Sequence, residues 1–406
     1  MSLEQQQQLE ASHLMQTYKR KPVQFVRGEG IRLYDDRGTE YLDFLGGIGV
    51  VSVGHTNPQV VKAVQEQASR LLHVGNYYHV EGRGELAEKI SDLLNKGLSE
   101  NAQPWKMFFT NSGTESVEGA IKIARKYGAR HLEGADTVVS ARRSFHGRTL
   151  AALAATGQPA KHESFKPIPQ GFVHVDFNDI HALKAMLNQG LGGKAACAVL
   201  LECIQGEGGV YPATEEYLQV ARQLTEASGA LLIIDEVQTG FYRTGIRPFA
   251  FQHYGIMPDV VTLAKGLGAG VPIGAVAARG KAAEVFEPGD HGSTFGGSPL
   301  AIAAANATLD ELAAMDAGAR VAEVGSYLRE QLQGLPFVTE VRGSGLMLGA
   351  ELSEPVAEAV VDTALEAGLL LNSIGHHILR FLPPLVCTKG DVDILIERLR
   401  RILEAL

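Results

Sequence analysis

Cysteine and long apolar runs are what this sequence most lacks. Only three of its 406 residues are cysteines, Cys197, Cys203 and Cys387, and no two of them have the C-x-x-C spacing. An odd and scattered set argues against a disulfide framework and a zinc site, so we expect reduced core residues and no bound metal. No apolar run reaches the roughly 18 residues of a membrane span, and residues 1–16 lack the features of a signal peptide. These absences predict a cytoplasmic protein that does not bind a membrane.

Positive charge is also scarce. The chain has 37 Lys and Arg against 46 Asp and Glu, a formal net charge of −9. Such a chain does not attract nucleic acid or anionic lipid non-specifically, so we expect neither as a partner. The sequence contains no G-x-G-x-x-G or G-x-x-x-x-G-K-[ST] pattern, which argues against dinucleotide or nucleoside-triphosphate binding. Any anionic ligand must be held by a local cluster of positive groups.

The middle of the chain, from about residue 106 to residue 280, alternates short apolar runs with helical patterns. This alternation is typical of a mostly parallel β-sheet covered by helices, an α/β fold. The candidate strands are residues 106–110, 137–141, 198–203, 230–234, 260–264 and 274–278. In open sheets of this kind, ligands bind at the carboxyl ends of the strands, so the polar residues that follow these runs are the first candidates for a site.

The two ends of the chain have different patterns. The length suits a large domain of roughly 250 residues and a smaller one. Three parts are expected: an N-terminal segment (1–50) that packs with the small domain, a large domain (51–300) and a small C-terminal α+β domain (301–406). The patterns behind this division are a hairpin over residues 31–34 and 41–44, a helix over residues 299–315, strands over residues 345–351 and 378–381, and a closing helix from about Asp391.

Two ionisable residues follow candidate strands, 30 positions apart in the chain. Asp235 comes after LLII, and Lys265 comes after VVTLA. A buried carboxylate and a buried amine at neighbouring strand ends suit pyridoxal phosphate, because the amine can form a Schiff base and move protons while the carboxylate keeps the pyridine nitrogen protonated. Gln238, three residues after Asp235, can donate to the phenolic oxygen of the ring. The plainer alternative is that Asp235 and Glu236 cap a helix and that Lys265 is a surface lysine.

The segment FFTNSGTESVE passes from a strand into a helix through Asn111, Ser112 and Gly113. Ser112 and Glu115 have the S-x-x-E spacing of a capping box. A glycine turn at a helix N-terminus offers free backbone N–H groups and the positive end of the helix dipole, which suits a phosphate. The alternative is a well-capped helix with no ligand.

Further polar and aromatic residues lie after or near other candidate strands. An aromatic ring can stack on a cofactor, an arginine can bind a carboxylate through paired hydrogen bonds, and a threonine can reach a phosphate. Taken singly, each is better explained as a core, turn or surface residue. They are Phe145 and Arg148 in FHGR, Glu202 before QGEGG, Ser293 and Thr294 in GSTFGG, and Arg380 in LRFLPP.

Read in order, seven motifs resemble those of the class III (omega-amino-acid) aminotransferases. They are SGTE, FHGRT, LECIQGEGG, IIDEVQTGFYRTG, TLAKGLGAGVPIGA, GSTFGGSPLA and LRFLPPL. The resemblance covers nearly the whole chain. It implies the fold of a fold-type I pyridoxal-phosphate-dependent transferase, in which a large domain holds a mostly parallel seven-stranded sheet between helices and a smaller α+β domain follows. It also implies pyridoxal 5'-phosphate as the cofactor.

The resemblance further implies a role for each matched residue near the cofactor. Thr294 would reach the phosphate of the neighbouring subunit's cofactor, so the active unit would be a homodimer with shared active sites. The other implied contacts are Ser112, Gly113 and Thr114 at the phosphate, Phe145 stacked on the ring, Val237 beside the ring, Asp235 at the pyridine nitrogen, Gln238 at the phenolic oxygen and Lys265 as the catalytic lysine.

The substrate contacts follow from the same resemblance. Arg148 and Ser293 would contact an acylated ornithine, with Arg148 binding its α-carboxylate. Arg380 would hold the α-carboxylate of 2-oxoglutarate or glutamate, and Glu202 would mask that arginine when the other substrate is bound. A mask is expected because an unpaired arginine in a closed site costs a few kcal/mol.

The activity implied is a ping-pong transfer of the terminal amino group of N-acetylornithine to 2-oxoglutarate, as in arginine biosynthesis. Succinylornithine, other acylated diamino acids, free ornithine and 4-aminobutyrate stay open as donors, as does an aminomutase reaction on the same scaffold. A non-catalytic protein that kept the fold is the alternative from another class. Lys265, Asp235 and Arg380 are all present, which argues against it.

Overall fold

The structure, a computed structural model, describes residues 1–97, 103–189 and 195–405. Its helices are α1 (Leu3–His13), α2 (Gly46–Gly49), α3 (Pro58–Arg70), α4 (Arg83–Asn95), α5 (Gly113–His131), α6 (Leu150–Ala155), α7 (Ile180–Gln189), α8 (Glu215–Ser228), α9 (Pro299–Ala314), α10 (Ala317–Gln333), α11 (Ala357–Glu366) and α12 (Lys389–Glu404). Its strands are β1 (Phe25–Glu29), β2 (Arg32–Asp35), β3 (Glu40–Asp43), β4 (Lys106–Thr110), β5 (Thr137–Ala141), β6 (Phe172–Val175), β7 (Ala196–Leu201), β8 (Ile204–Gln205), β9 (Tyr211–Pro212), β10 (Leu231–Asp235), β11 (Val260–Leu263), β12 (Gly274–Ala278), β13 (Val338–Ser344), β14 (Met347–Leu352), β15 (Leu369–Leu370), β16 (Asn372–Ile374) and β17 (Ile378–Phe381).

A seven-stranded sheet forms the centre of the molecule, in the order β4-β12-β11-β10-β7-β5-β6. Only β12 runs antiparallel to its neighbours β11 and β4. Every residue of β5, β7, β10, β11 and β12 is buried, because helices cover both faces of the sheet. Continuous apolar runs such as ACAVLL in β7 suit strands that are buried on both sides. The expected α/β fold with a mostly parallel sheet is confirmed.

The sequence patterns located six of these seven strands. The bounds of β4, β5 and β12 agree with the prediction, whereas β7 begins two residues earlier, and β10 one residue later, than expected. The strand that the patterns missed is β6, at the edge of the sheet. Its sequence is FVHV, and three of its four residues are only partly buried. A short edge strand that contains a histidine lacks the continuous apolar run of the central strands.

Two smaller sheets involve the ends of the chain. The antiparallel sheet β13-β14-β17-β16 lies in the C-terminal region, where α10 and α11 contact it. The N-terminal hairpin β2–β3, extended by β1, pairs through β3 with the C-terminal strand β15. The chain ends are therefore joined by backbone hydrogen bonds. The division at residues 50 and 300 stays a prediction.

Burial of the cysteines agrees with the sequence analysis, since Cys197, Cys203 and Cys387 all lie in the interior. Among the residues that the structure describes, no helix is both long and apolar enough to cross a bilayer. Within the same residues, no cluster of His, Cys, Asp or Glu side chains is arranged to hold a metal ion.

Several polar side chains meet at the carboxyl edge of the central sheet. Asp235 is the last residue of β10, and Lys265 follows the parallel neighbour β11 by two positions. The turn into α5 follows β4, and the loop that carries Phe145 follows β5. Residues that are far apart in the sequence thus face one cavity because their strands share a direction.

Candidate active site

A cavity of about 450 Å³ lies at this edge of the sheet. Its size is within the usual range for a small-molecule site. Most of the residues expected near a cofactor line it. The lining includes Ser112, Gly113, Thr114, Phe145, Arg148, Glu202, Asp235, Val237, Gln238 and Lys265, together with His146 and Glu207.

Lys265 is held in an unusual backbone conformation at the end of β11. Its φ is 39°, in the left-handed region that costs free energy for residues with a side chain. Burial lowers the pKa of its amine to about 8, the charge of Glu207 opposes this shift, and that of Arg380 adds to it. An amine with a lowered pKa is partly neutral near neutral pH, which is the form that attacks a carbonyl carbon.

Asp235 is fixed by three hydrogen-bond donors and is only 5% exposed. Its Oδ1 accepts from the backbone N–H of Val237 at 3.1 Å and from the hydroxyl of Thr262 at 2.9 Å. Its Oδ2 lies 2.8 Å from Nδ1 of His146. A turn follows the aspartate and not a helix, so the helix-cap alternative is wrong. The carboxylate is instead a buried acceptor at the floor of the cavity.

The N-terminus of α5 forms the phosphate-binding candidate. The Ser112 hydroxyl accepts from the backbone N–H of Glu115 at 3.3 Å, but the Glu115 carboxylate accepts from the N–H of Asn111, so only half of the expected capping box forms. The first N–H groups of a helix have no intrahelical partners, and those of Gly113 and Thr114 lie at the cavity. A Cβ at Gly113 would stand 2.7 Å from Cγ1 of Val237, so this close approach needs glycine.

Phe145 and Glu202 form a pair at the side of the cavity. The backbone N–H of Phe145 donates to Oε2 of Glu202 at 3.1 Å. Burial raises the pKa of Glu202 well above its ordinary value, and the charge of Asp235 adds to the shift. Glu202 therefore keeps a proton to higher pH than an exposed glutamate does. Phe145 is only partly buried and lines the cavity, so its ring is available for stacking on a ligand there.

Arg380 has a different partner from the one expected. Its guanidinium, 2% exposed, places Nη1 2.5 Å from Oε1 of Glu207, and its Nε donates to Asn372 at 2.9 Å. Burial alone would raise the pKa of Glu207, but the charge and hydrogen bond of Arg380 hold it below its ordinary value. The assignment of Glu202 as the partner is corrected to Glu207. Two glutamates flank CIQG, and only the three-dimensional structure distinguishes the one that faces β17.

The remaining expected substrate contacts are divided between two places. Arg148 is exposed at the cavity, with its guanidinium carbon 5.5 Å from the centre of the Phe145 ring. Ser293 and Thr294 line a second cavity of about 350 Å³ beside Asn111, whose Nδ2 donates to the Ser293 hydroxyl at 3.1 Å. Thr294 is exposed there. Within one chain, the structure therefore does not bring Ser293 or Thr294 into the cavity that holds Lys265.

The lining fits pyridoxal phosphate at each of its functional parts. A helix N-terminus is available for the phosphate, a phenylalanine face for the ring, a carboxylate for the pyridine nitrogen and an amine for the aldehyde. Oε1 of Gln238 is buried without a hydrogen-bond partner among the described residues. A buried polar group of this kind calls for a ligand contact, or for an amide orientation that turns its NH₂ group toward a ligand.

Comparison with known proteins supplies an independent reference for this site. A family model described as "Aminotransferase class-III" matches residues 15–403. A protein named acetylornithine aminotransferase from Caldanaerobacter subterraneus subsp. tengcongensis is 47% identical to this chain, covering 95% of each.

Solved structures of aminotransferases are also similar to this chain. An ornithine aminotransferase from Toxoplasma gondii, described with partial occupancy of PLP at its active site, has a TM-score of 0.92 and 32% identity, covering 100% of this chain and 94% of that one. An N-acetylornithine aminotransferase from Stenotrophomonas maltophilia has a TM-score of 0.82 and 36% identity, covering 98% of each chain.

Proposed function

Because this chain belongs to the class III aminotransferases, which are pyridoxal-phosphate enzymes, we propose that it transfers the terminal amino group of N-acetylornithine to 2-oxoglutarate. The products are N-acetylglutamate 5-semialdehyde and glutamate, and the pathway is arginine biosynthesis. Relatives with this name match nearly the full chain. The observation that carries the proposal is the placement of Lys265 and Asp235 on adjacent strand ends in one cavity. A cytoplasmic location is part of the same proposal.

The cofactor, when bound, acts as an electron sink that lets a proton leave the carbon beside the reacting amine. Lys265 holds and moves that proton, and its lowered pKa suits it to both tasks. The N-terminus of α5 binds the phosphate through Gly113 and Thr114, and Phe145 covers one face of the ring. Asp235 holds the ring nitrogen in its protonated form, and Val237 and Gln238 complete the contacts.

The site must bind two different substrates, and only one of them has a carboxylate on its reacting carbon. Arg380 therefore needs a different partner with each substrate. With the donor bound, Glu207 pairs with Arg380, as the 2.5 Å contact supports. With 2-oxoglutarate bound, the substrate α-carboxylate replaces Glu207 on the arginine. Arg148, exposed at the cavity, is placed to bind the α-carboxylate of the donor. Glu202, which accepts a hydrogen bond from the backbone N–H of Phe145, positions that aromatic ring.

Absorbance of the purified holoenzyme tests the donor. N-acetylornithine, succinylornithine, ornithine and 4-aminobutyrate are added in turn without an acceptor. We expect N-acetylornithine to bleach the visible band of the bound cofactor fastest, and 2-oxoglutarate to restore it. Faster bleaching by another amine would keep the enzyme class and replace the substrate. Absence of any band after addition of pyridoxal phosphate would contradict the proposal as a whole.

We also propose that the active unit is a homodimer in which Thr294 contacts the phosphate bound by the partner subunit. Two observations support this. Thr294 and the neighbouring Phe295 are exposed, and they lie at the cavity beside Asn111, which is separate from the one that holds Lys265. Thr294 does not line the cavity of its own chain that holds Lys265, which supports a phosphate contact across subunits.

Hybrid dimers test this arrangement. Thr294→Val is expected to weaken cofactor binding by about tenfold, because a hydrogen bond to a charged phosphate is lost. Lys265→Ala is expected to abolish turnover. Mixing the two variants under conditions of subunit exchange should restore activity, because one of the two sites in each hybrid then has both native residues. No recovery in hybrids verified by mass spectrometry would contradict a shared site.

A further inference from the structure

A second arginine holds the turn that carries Glu207. This turn, residues 206–210, connects β8 to β9. Nε of Arg342 donates to the backbone oxygen of Gly209 at 2.8 Å. Arg342 lies on β13 and is only 5% exposed, so the hydrogen bond is buried between the C-terminal sheet and the turn. The proposed function gives this arginine no role.

Arg342 and Arg380 lie in one row across the C-terminal sheet. Gly349 on β14 pairs with Arg342 on one side and with Arg380 on the other. Residues directly opposite one another in antiparallel strands direct their side chains to the same face, so both arginines project toward the turn. Arg380 contacts Glu207 near the start of the turn. Arg342 contacts Gly209 near its end, so the two guanidinium groups hold the turn from both sides.

The middle of this row is a glycine because the turn packs directly on it. A Cβ at Gly349 would stand 3.1 Å from Cβ of Val210, the residue after Gly209. Val210 is fully buried, and its φ of 58° lies in the left-handed region, which is unfavourable for a β-branched residue. A strained turn keeps its shape only where the contacts around it are strong enough to hold it.

Arg342 is itself fixed by several neighbours. Its Nη1 forms ion pairs with Glu340, at 3.0 Å, and with Glu351. Its guanidinium carbon lies 4.0 Å from the centre of the Tyr211 ring. Because a guanidinium is planar and rigid, these contacts fix the direction in which its Nε points. The donor to the turn is therefore preorganised.

We infer that Arg342 is a positioning residue, which holds the backbone of the β8–β9 turn in place while Glu207 leaves Arg380 and returns to it. With Gly209 fixed, the exchange requires only the side chain of Glu207 to move. Less conformational freedom is then lost each time the carboxylate pairs again, so Glu207 competes well with a substrate carboxylate. This inference rests on the proposed exchange of partners on Arg380.

Arg342→Met tests the inference because it removes the hydrogen bond to Gly209 and keeps an apolar stem beside Tyr211. Glu207 should then compete less well for Arg380. We expect the apparent Kd for 2-oxoglutarate to fall by about threefold and the donor half-reaction to slow by a similar factor, since one positioning hydrogen bond is lost. Single-turnover absorbance of the holoenzyme measures the two half-reactions separately. A purely structural role would instead weaken 2-oxoglutarate binding and slow both half-reactions.

A double-mutant cycle with Glu207→Gln shows whether Arg342 acts through Glu207. In the Glu207→Gln enzyme, Arg342→Met should change the Kd for 2-oxoglutarate by less than about 1.5-fold, because no charged competitor remains to be positioned. The same threefold fall in both backgrounds, or a Kd in Arg342→Met that is unchanged or raised, would overturn the inference and leave the proposed function standing. An unchanged Kd in Glu207→Gln itself would overturn the proposed exchange as well.

Glu340→Gln is the matched control. Glu340 is exposed, and its loss leaves Arg342 paired with Glu351 and bonded to Gly209. Both half-reactions should stay within about 1.5-fold of the wild type, because exposed ion pairs contribute little. An effect as large as that of Arg342→Met would assign the change to the charges on β13 and overturn the role of the contact with Gly209. Circular dichroism and cofactor content of each variant confirm that folded holoenzymes are compared.

Discussion

Lys265→Ala is expected to lower kcat by about ten-thousand-fold or more, because it removes the amine that we propose binds the cofactor covalently and moves the substrate proton. The fold should persist, since the side chain lines a cavity and fills no core position. Steady-state kinetics with N-acetylornithine and 2-oxoglutarate give the size of the effect. Lys281→Ala, at an exposed lysine, is the matched control and should keep full activity.

The pH dependence of cofactor attachment gives a second test of Lys265. Burial lowers the pKa of its amine to about 8, so below this pH the nucleophilic neutral fraction falls tenfold per pH unit. The rate at which the cofactor-free protein binds pyridoxal phosphate covalently should therefore rise with pH up to about 8 and then level off. A rate that keeps rising toward pH 10 would show an amine with an ordinary pKa. Retained turnover in Lys265→Ala would contradict the mechanism itself.

The same shift in the pKa of Lys265 affects stability in a defined direction. In the unfolded chain the amine has its ordinary pKa of 10.5, and in the fold it has a pKa of about 8, so between these values the unfolded state binds more protons. The free energy of unfolding of the cofactor-free protein is therefore expected to gain a contribution as pH rises from 8 to 10.5. Below pH 8 the full cost of burying a charged amine is present. Covalent attachment of the cofactor removes this cost.

Sequence patterns predicted the central sheet well because its strands are buried on both faces. Runs such as LLII before Asp235 and VVTLA before Lys265 are apolar apart from Thr262, and the ionisable residues that follow them mark the ends of the strands. Parallel strands then bring these residues together whatever their separation in sequence. The candidate site could be assembled from this rule and from the motifs of the family.

The partner of Arg380 could not be predicted in the same way. Glu202 and Glu207 are both close to the end of β7, and both line the cavity. Glu202 points to the backbone of Phe145, whereas Glu207 lies in the turn between β8 and β9 and reaches Arg380 on β17. Which of the two glutamates pairs with Arg380 depends on how the C-terminal sheet packs on the central sheet. Such packing between distant segments leaves no periodic signal in the sequence.

The contact of His146 with Asp235 was missed for a related reason. The motif FHGRT places it between two residues with assigned roles, but a histidine in a loop has many uses. Only the 2.8 Å contact with Asp235 and the absence of a partner for Nε2 within the described residues limit its chemistry. Thr294 is a similar case. Its exposure supports a contact with a partner subunit only because it does not line the cavity that holds Lys265.

Three carboxyl groups share this cavity, two of them buried and that of Glu207 partly buried, and each has different partners. Asp235 accepts hydrogen bonds from three groups, and Glu207 forms an ion pair with Arg380. Glu202 accepts from the backbone N–H of Phe145, and burial raises its pKa. Three unpaired negative charges at such short range would repel one another strongly. Because their partners differ, we propose that each group has its own task. Asp235 contacts the cofactor, Glu207 gives way to the substrate carboxylate on Arg380, and Glu202 holds the backbone of Phe145.

This division of tasks predicts different effects for matched substitutions of the two glutamates. Glu202→Gln should change kcat and both KM values by no more than about threefold, because the amide oxygen still accepts from Phe145 and Glu202 does not pair with Arg380. Glu207→Gln should lower the KM for 2-oxoglutarate by about tenfold, since the substrate no longer displaces a carboxylate from Arg380. It should also slow the donor half-reaction, in which Arg380 then lacks its charged partner.

Arg380→Gln gives the larger and opposite effect on 2-oxoglutarate. Loss of the guanidinium leaves the substrate α-carboxylate without its buried charged partner, so kcat/KM for 2-oxoglutarate should decrease by about 100- to 1,000-fold. The donor half-reaction should change much less, because N-acetylornithine has no carboxylate on its reacting carbon. Single-turnover absorbance of the bound cofactor measures the two half-reactions separately. Equal losses in both half-reactions, or a response to Glu202→Gln in place of Glu207→Gln, would contradict the exchange of partners on Arg380.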